Sequence, residues 1–213
     1  MNLLELPPAW LSRVAVVTGY LHGDIESFFN EDEFAAVRGL RFPHQKTEWF
    51  SARMAAKWLA CSRGLASDPR SVAVSGGRQR RPELRLESRA AVALSLSHTD
   101  GVGGAAIDHE TIGLDVQRVR PLSERGWKFF LQEREISAVR MASIDDVAIH
   151  FWSAKEAAWK ALSGENQRGL KDVGLSLSAE GSDGLRFRYH CATESGIVET
   201  RRIGSLVVAL AGR

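Results

Sequence analysis

The chain has 213 residues, of which 44% are hydrophobic and 25% charged, and a formal net charge of +2. This length can bury a sizeable core and form one large domain or two small ones. No apolar run approaches the roughly 18 residues of a membrane-spanning helix, so we expect no membrane association.

The start of the chain and its cysteines indicate the compartment. The first ten residues, MNLLELPPAW, lack the basic segment and long apolar stretch of a secretory signal. Cys61 and Cys191 form no metal-spaced pair. We therefore expect two reduced thiols in a cytoplasmic protein.

The small net charge hides a basic region in the first half. Residues 38–89 carry twelve Lys or Arg against four acids, an excess of +8. Such an excess favours a phosphate-rich ligand or an acidic partner, although a solvated basic surface is the common alternative. No zinc finger, RNP aromatic pattern, GxxG loop or basic heptad region is present, so nucleic acid is not the expected partner.

The first half carries patterns typical of strands and helices in alternation. In chain order they predict a strand over 13–20, helices over 24–39 and 46–64, a loop over 75–82, and strands over 91–97, 102–107 and 111–116. The dipeptides Asp100-Gly101 and Asp108-His109 are predicted hairpin turns between these last strands.

The second half resembles the first in the order of its elements. It predicts helices over 127–140 and 145–162 and strands over 185–191 and 205–211. A strand, a long helix and several strands thus occur twice, about 100 residues apart, without visible sequence identity. This order of elements predicts two lobes, 1–107 and 108–213. Because two covalently joined lobes could build one cleft between them, we expect a monomer.

The segment 151–160, FWSAKEAAWK, is the strongest candidate for chemistry. It lacks Gly, Pro, Asn and Asp, so it is predicted to be helical. On a helix Glu156 stands beside Lys160 and one turn after Trp152, while Lys155 lies one turn before Trp159. A carboxylate and two ammonium groups backed by two indoles suit an anion and a divalent metal better than plain solvation.

The strand TIGLDVQRV (111–119) supplies a second candidate. Alternation along the strand directs the apolar residues Ile112, Leu114 and Val116 to the core. It places Gly113, Asp115 and Gln117 on the other face. A carboxylate on such a strand is costly unless it is exposed, paired or bound to a metal. Asp115 is therefore a candidate Mg²⁺ ligand, with Gln117 able to offer an amide oxygen; a salt bridge is the alternative for an isolated aspartate.

Further polar groups could contact phosphate. Ser97 and His98 end a predicted strand, where a hydroxyl and an imidazole can bind phosphate oxygens or a histidine can simply be hydrogen-bonded. They do not fit a catalytic triad, because adjacent strand residues face apart and no GxSxG surrounds the serine. Arg53 could contact the same ligand or lie along the surface with its charged end in water. The predicted loop adds three arginines, Arg78, Arg80 and Arg81.

Five segments in this order resemble the 4′-phosphopantetheinyl transferases of the larger, surfactin-synthetase-type class. That family has a Gly-Lys/Arg-Pro loop, an (F/L)-x-(L/I/V)-S-H-(S/T) strand end, a (V/I)-G-(I/V)-D-(I/V)-E strand, F-x-x-x-E, and W-x-x-K-E-A-x-x-K. The corresponding segments here are Arg-Arg-Pro at 80–82, LSLSHT at 94–99, IGLDVQ at 112–117, 130–135 and, as a complete match, 152–160. The resemblance spans roughly residues 38–165.

The resemblance implies an α+β fold of two similar αβ lobes related by pseudo-two-fold symmetry, each a small antiparallel sheet packed on a long helix. It implies a 4′-phosphopantetheinyl transferase, a holo-[acyl-carrier-protein] synthase. This enzyme moves 4′-phosphopantetheine from coenzyme A to a serine of an acidic apo carrier protein in fatty-acid, polyketide or nonribosomal-peptide synthesis, and releases adenosine 3′,5′-bisphosphate. The first lobe would contact the coenzyme A phosphates, and the second would hold the metal site and catalytic helix.

The resemblance also implies roles for individual residues. Asp115 and Glu156, with Gln117, would hold Mg²⁺ or Mn²⁺, and Glu156, directly or through a water, would accept the serine proton. The predicted coenzyme A contacts are Arg53, Arg81, Ser97, His98, Lys155 and Lys160, and Lys160 also counts as catalytic. A carrier would dock at the aromatics 127, 129 and 130, which suit an amphipathic core equally well.

Two departures from the family pattern leave alternatives open. Gln117 stands where the family usually has glutamate, which removes one negative charge from the predicted metal site. The predicted phosphate loop has Arg80 where the family prefers glycine, which leaves the path of the loop open. The acid of the F-x-x-x-E motif is also loosely placed, at Glu133 or Glu135. The alternative function is therefore a relative that binds coenzyme A or a carrier protein but turns over poorly.

Overall fold

A computed structural model of the protein describes residues 1–20, 22–76, 81–86, 92–144, 146–162 and 169–212. The chain divides into two compact units, Met1–His109 and Glu110–Arg213. Each unit is an antiparallel sheet with one long helix packed on it. This confirms the predicted α+β class. Within the described residues, no helix is long and apolar enough to cross a membrane.

Among the residues that the structure describes, the first unit has six strands and three α-helices. In chain order they are β1 (Asn2–Leu3), β2 (Val14–Gly19), α1 (His22–Phe28), α2 (Glu31–Arg38), α3 (Pro43–Ser62), β3 (Ala73–Ser75), β4 (Glu83–Arg85), β5 (Ala93–Thr99) and β6 (Val102–Asp108). The strand order in the sheet is β1-β2-β6-β5-β4-β3. Helix α3 packs on β2, β5 and β6 and contributes Met54, Ala55 and Leu59 to the core of this unit.

In the described part of the second unit there are five strands and three α-helices. They are β7 (Ile112–Arg118), α4 (Glu124–Trp127), α5 (Glu133–Met141), α6 (Val147–Ala161), β8 (Gly174–Glu180), β9 (Leu185–Cys191), β10 (Glu194–Ile203) and β11 (Leu206–Gly212). Their sheet has the order β7-β11-β10-β9-β8, and α6 packs on β7, β11 and β10.

Two predicted helices are each broken in two by a capping box. Asn30 accepts a hydrogen bond from the Glu33 backbone N–H, and Glu33 accepts one from the backbone of Asn30, so α2 begins after Asn30 and is separate from α1. At the start of α5 the Gln132 backbone N–H likewise donates to Glu135 Oε2, whereas the Glu135 N–H donates to the backbone oxygen of Gln132. A capping box satisfies the free N–H groups of a new helix, which ends any continuity with the preceding one.

One predicted hairpin is wrong. Asp100-Gly101 does join the antiparallel strands β5 and β6. At Asp108-His109, however, β6 pairs with β2 and β5, whereas β7 pairs with β11 in the other sheet. The short polar turn that suggested a hairpin is instead the point at which the chain passes from one unit to the next.

Each unit contains a buried ion pair, and the two pairs occupy equivalent positions in their units. Lys57 of α3 pairs with Glu33 at 2.8 Å, and Lys155 of α6 pairs with Glu135 at 2.9 Å. In both cases the glutamate belongs to a capping box, and the lysine also donates to a backbone carbonyl of a following 3-10 turn, at Pro69 or Leu170. The repeat inferred from element order thus extends to individual polar contacts.

Candidate active site

Three residues of one face of α6 surround the carboxylate of Asp115 on β7. Ser153 Oγ donates to Asp115 Oδ2 at 3.0 Å, and Lys160 Nζ donates to Asp115 Oδ1 at 2.9 Å and to the backbone oxygen of Leu114 at 3.0 Å. Glu156 lies between these donors on the same face, because residues three and four apart on a helix are neighbours. All of these residues belong to the second unit.

A glycine lets the helix come this close to the strand. A Cβ at Gly113 would collide with the backbone oxygen of Ala157 and lie 2.8 Å from the backbone nitrogen of Ala161. The face that carries Gly113 and Asp115 therefore packs against α6. Alternation predicts that Ile112, Leu114 and Val116 face the core, and these three residues are buried. The opposite face of β7 is buried as well from Gly113 to Asp115, because α6 covers it.

Glu156 is electrostatically coupled to this cluster. Burial raises the pKa of Glu156, the nearby charge of Asp115 raises it further, and Lys160 lowers it. Two carboxylates that repel each other in a partly desolvated place favour a cation between them. Lys160 offers one positive charge, already in contact with Asp115.

The donor set fits a hard divalent cation. Asp115 and Glu156 offer carboxylate oxygens, and alternation on β7 places Gln117, half-buried, on the face of Asp115. Mg²⁺ is commonly held by one or two carboxylates, with substrate phosphate and water completing its shell. Among the described residues, no group of three or more His, Cys, Asp or Glu is placed to hold a metal ion together. Asp115 and Glu156 would therefore offer two acids, with Gln117 as a neutral amide.

Lys155 does not belong to this cluster, contrary to the prediction. Its side chain is fully buried, pairs with Glu135, and donates to the Val173 backbone oxygen at 2.5 Å. Consecutive helix residues point about 100° apart, so Lys155 and Glu156 cannot serve the same face. Burial lowers the pKa of Lys155 and the charge of Glu135 opposes this. The buried acid of the F-x-x-x-E segment is thus Glu135, and its partner is Lys155.

Arg53 lies on α3 in the first unit. Its guanidinium sits 4.0 Å from the centroid of the Trp49 ring, and its buried Nε has no hydrogen-bond partner among the described residues. Burial lowers the pKa of Arg53 to about 10, and the charge of Glu33 opposes this shift. Arg53 is therefore a cation held against an aromatic ring, with capacity for one more acceptor.

The other predicted phosphate contacts of the first unit lie on and near β5. Ser97 is 5% exposed, whereas the exposed His98 places Nδ1 3.3 Å from Glu48 Oε2 of α3. Arg81 is exposed. Arg78 and Arg80, predicted in the same loop as Arg81, lie outside the described residues. The structure thus gives His98 and Arg53 different partners, Glu48 and Trp49.

The aromatic residues after β7 divide between core and surface. Phe130 is buried and meets Trp152 edge to face at 4.9 Å, and Trp127 packs against the same core while donating from Nε1 to the Leu122 oxygen. Phe129 is 78% exposed. Of the three predicted docking aromatics, Phe129 is exposed, Trp127 is half-buried and Phe130 is buried.

Ser153 is the residue of this cluster that the sequence analysis missed. It stands three residues before Glu156 and seven before Lys160, so the helical spacing alone places it on their face. A hydroxyl side chain on the helical face of Glu156 and Lys160 is the signal that could have identified it.

Comparison with known families matches the part of the chain that contains the Asp115 cluster. Residues 111–211 match the family model of the 4′-phosphopantetheinyl transferase superfamily. The matched segment amounts to slightly under half of the chain and contains β7, α6 and every residue of the Asp115 cluster. The search among curated proteins returned no match.

Proposed function

We propose that the chain transfers 4′-phosphopantetheine from coenzyme A to a serine hydroxyl of an apo carrier protein. Adenosine 3′,5′-bisphosphate is the second product. The observation that carries the proposal is the convergence of Glu156 and Lys160 of α6 on Asp115 of β7, within a segment that matches the 4′-phosphopantetheinyl transferase superfamily. The motif pattern that spans both halves of the chain adds the surfactin-synthetase-type class to the proposal.

The cluster suits phosphoryl transfer, which needs positioning and neutralisation of charge rather than a covalent enzyme group. Asp115 and Glu156 would hold Mg²⁺, with Gln117 as a neutral third donor. When bound, the cation would offset the negative charge of the pyrophosphate and the leaving bisphosphate. Lys160 donates to phosphate oxygens from the same face, where a preorganised cation stabilises developing charge.

Glu156 is the proposed general base. The serine oxygen forms a bond to the phosphorus of the pantetheine phosphate, the bond from that phosphorus to the bisphosphate breaks, and the serine proton passes to the Glu156 carboxylate. Glu156 is chosen as the base because it is the carboxylate of α6 beside Asp115, where it can accept the proton directly or through a water.

The first unit would bind the phosphates of coenzyme A. Arg53, whose guanidinium lies against the Trp49 ring, is one of its proposed residues, and Arg81, Ser97 and His98 complete the set. His98 would exchange Glu48 for a phosphate oxygen. Lys155 is not part of the set, because its ammonium group is committed to Glu135.

A carrier protein would contact the exposed ring of Phe129. Lys128 precedes it, and Lys171 donates to the Lys128 backbone oxygen at 3.2 Å, so two basic side chains lie near the ring. An acidic carrier with an apolar patch complements this combination.

Intact-mass spectrometry tests the function. The chain is incubated with coenzyme A, Mg²⁺ and apo carrier proteins of the fatty-acid, polyketide and nonribosomal-peptide types. An active transferase adds one phosphopantetheinyl group to at least one carrier. No mass gain on any carrier, together with coenzyme A binding by calorimetry, would instead support the binding relative that turns over poorly.

Glu156→Ala tests the assignment of the base and metal ligand. The rate should fall by at least about 10²-fold, because one substitution removes both roles. Glu133→Ala, which removes an exposed acid of α5, should stay within a few-fold of wild type. A Glu156→Ala rate as high as that of the control would refute the assignment.

A further inference from the structure

Each carboxylate oxygen of Asp115 receives a hydrogen bond from a different residue of α6. Ser153 serves Oδ2 and Lys160 serves Oδ1. Ser153 is fully buried and Asp115 is 1% exposed, so solvent does not compete effectively for either group. Because these two donors of α6 contact different oxygens, they fix the plane of the carboxylate relative to α6.

The two donors have different consequences for a cation. Lys160 carries a positive charge and reduces the attraction of Asp115 for another cation, whereas the Ser153 hydroxyl is neutral. Ser153 orients the carboxylate and leaves its charge intact. A serine inside a helix can instead bond to the carbonyl one turn earlier, but the single hydroxyl proton of Ser153 is directed to Asp115.

We infer that Ser153 is a positioning residue for the Asp115 carboxylate in the proposed transferase site, a role that rests on the proposed function. Hydrogen bonds to metal-ligating side chains hold them in the binding orientation, and their loss typically costs about 10–100-fold in metal affinity or activity. Ser153 acts through Asp115 and touches no substrate.

Mg²⁺ binding in the presence of coenzyme A, measured by isothermal titration calorimetry, tests the inference without relying on turnover. Ser153→Ala should raise the Mg²⁺ dissociation constant by about 10–100-fold. Ser153→Thr, which keeps the hydroxyl, should stay closer to wild type than Ser153→Ala. In the carrier assay, the Mg²⁺ concentration for half-maximal rate should rise with Ser153→Ala, while the rate at saturating Mg²⁺ changes much less.

Ser51→Ala is the matched control. Ser51 is equally buried on the long helix of the first unit, but its hydroxyl is bonded to the backbone oxygens of Thr47 and Gly101. This variant should leave Mg²⁺ affinity unchanged, and thermal unfolding of both metal-free variants shows how much each substitution affects folding.

Three results would overturn the inference. They are a Ser153→Ala dissociation constant within about threefold of wild type, an equal loss of affinity in Ser51→Ala, and a wild-type chain that binds no Mg²⁺. A failure of the proposed function looks different: no carrier gains mass, while Mg²⁺ still binds and still depends on Ser153.

Discussion

Gln117 sets the charge of the proposed metal site at the level of a single residue. It shares the Asp115 face of β7 and is half-buried. An amide oxygen can ligate Mg²⁺ but brings no negative charge, so the site has two charged ligands rather than three. Lys160 already pairs with Asp115, so the attraction of the site for a cation is modest.

We therefore predict that Gln117→Glu tightens Mg²⁺ binding. A third carboxylate adds attraction for the cation and, without Mg²⁺, adds repulsion to Asp115 and Glu156. In the presence of a chelator, the melting temperature of Gln117→Glu should therefore be lower than that of the wild type. When Mg²⁺ is added, it should rise at lower Mg²⁺ concentrations than in the wild type. Gln45→Glu, the same change on α3 of the first unit, should not alter the Mg²⁺ dependence. An unchanged Mg²⁺ requirement in Gln117→Glu would mean that residue 117 does not face the ion.

His150 should make the protein sensitive to acid. It is fully buried on α6, Thr200 Oγ1 lies 2.7 Å from its Nδ1, and its Nε2 has no partner among the described residues. Because Thr200 Oγ1 donates to the Leu185 oxygen, we assign the proton between the pair to Nδ1, which leaves Nε2 without one. Burial, and then the charge of Arg202, lower the pKa of His150 to about 4, with Asp183 opposing.

The sign of the effect follows from linkage. As the pH falls below about 6.5, the unfolded chain binds a proton at His150 that the folded chain rejects until about pH 4. Stability present above pH 6.5 is thus lost as the pH falls, by about 2 kcal/mol at pH 5 and roughly 3 kcal/mol by pH 4. His150→Asn keeps a donor for Thr200 and does not titrate, so its unfolding free energy in urea should fall less between pH 7.5 and 5. Parallel losses in both proteins would refute this prediction.

The sequence predicted some side-chain roles and not others for a geometric reason. Helical spacing is enough to place Glu156 and Lys160 together. The role of Lys155 depends on Glu135, which lies 20 residues earlier and approaches only because α5 packs on α6. Periodicity describes one helix at a time, so it could not distinguish a lysine that faces a ligand from one that faces another helix.

At the scale of elements, the approach of α6 to β7 depends on Gly113. The backbone of α6 at Ala157 occupies the place of a Cβ on residue 113. Gly103 of β6 has the same relation to the backbone of Ala52 on α3. Each long helix therefore crosses its sheet at a glycine, which brings helix side chains within reach of the strand.

Gly113→Ala should destabilise the protein by about 1–3 kcal/mol, the usual cost of inserting a methyl group into a filled core. Because α6 must move away from β7, the contacts of Ser153 and Lys160 with Asp115 should lengthen and Mg²⁺ affinity should fall. Urea unfolding and calorimetry measure the two effects. Gly23→Ala is the control: its Cβ would meet nothing within 4 Å, and alanine is the better helix former in α1. A Gly113→Ala variant as stable as this control would contradict the close approach.

The helices and strands were predicted correctly where a segment is long and its apolar residues are regularly spaced. The helices α3 and α6 and the strand β9, with its alternating burial, follow directly from apolar spacing. The strands β8 and β10 were missed. β10 lies between β9 and β11 and is held by hydrogen bonds on both sides, although its segment ETRR reads as polar. Pairing with neighbours that are distant in sequence decides such a strand, and no local pattern encodes it.

At the scale of the whole molecule, the two units have the same buried ion pair but differ at the residues that surround Asp115. Lys57 and Lys155 lie 98 residues apart and each pairs with a capping-box glutamate. The same offset from Ser153, Glu156 and Lys160 leads to Ala55, Trp58 and Ser62 of α3. The first unit thus keeps the buried ion pair and lacks the acid and lysine that surround Asp115 in the second.

This comparison predicts that each ion pair stabilises its own unit. Lys155→Met leaves the Glu135 carboxylate, 1% exposed, without a cation, and the expected loss is about 3–5 kcal/mol. Lys57→Met should cost less, because the Glu33 side chain is 12% exposed and reaches some solvent. Hydrogen exchange followed by mass spectrometry should show the greatest loss of protection in 110–212 for Lys155→Met and in 1–109 for Lys57→Met.

A double variant separates loss of the pair from loss of packing. Glu135 also accepts the backbone N–H groups of Leu175 and Gln132, and glutamine at 135 keeps a neutral acceptor for them. Lys155→Met/Glu135→Gln should therefore be more stable than Lys155→Met alone, because no buried charge remains unpaired. If the double variant is no more stable, the cost of Lys155→Met comes from the lost donor contacts to Leu170 and Val173, and the ion pair does not hold this unit together.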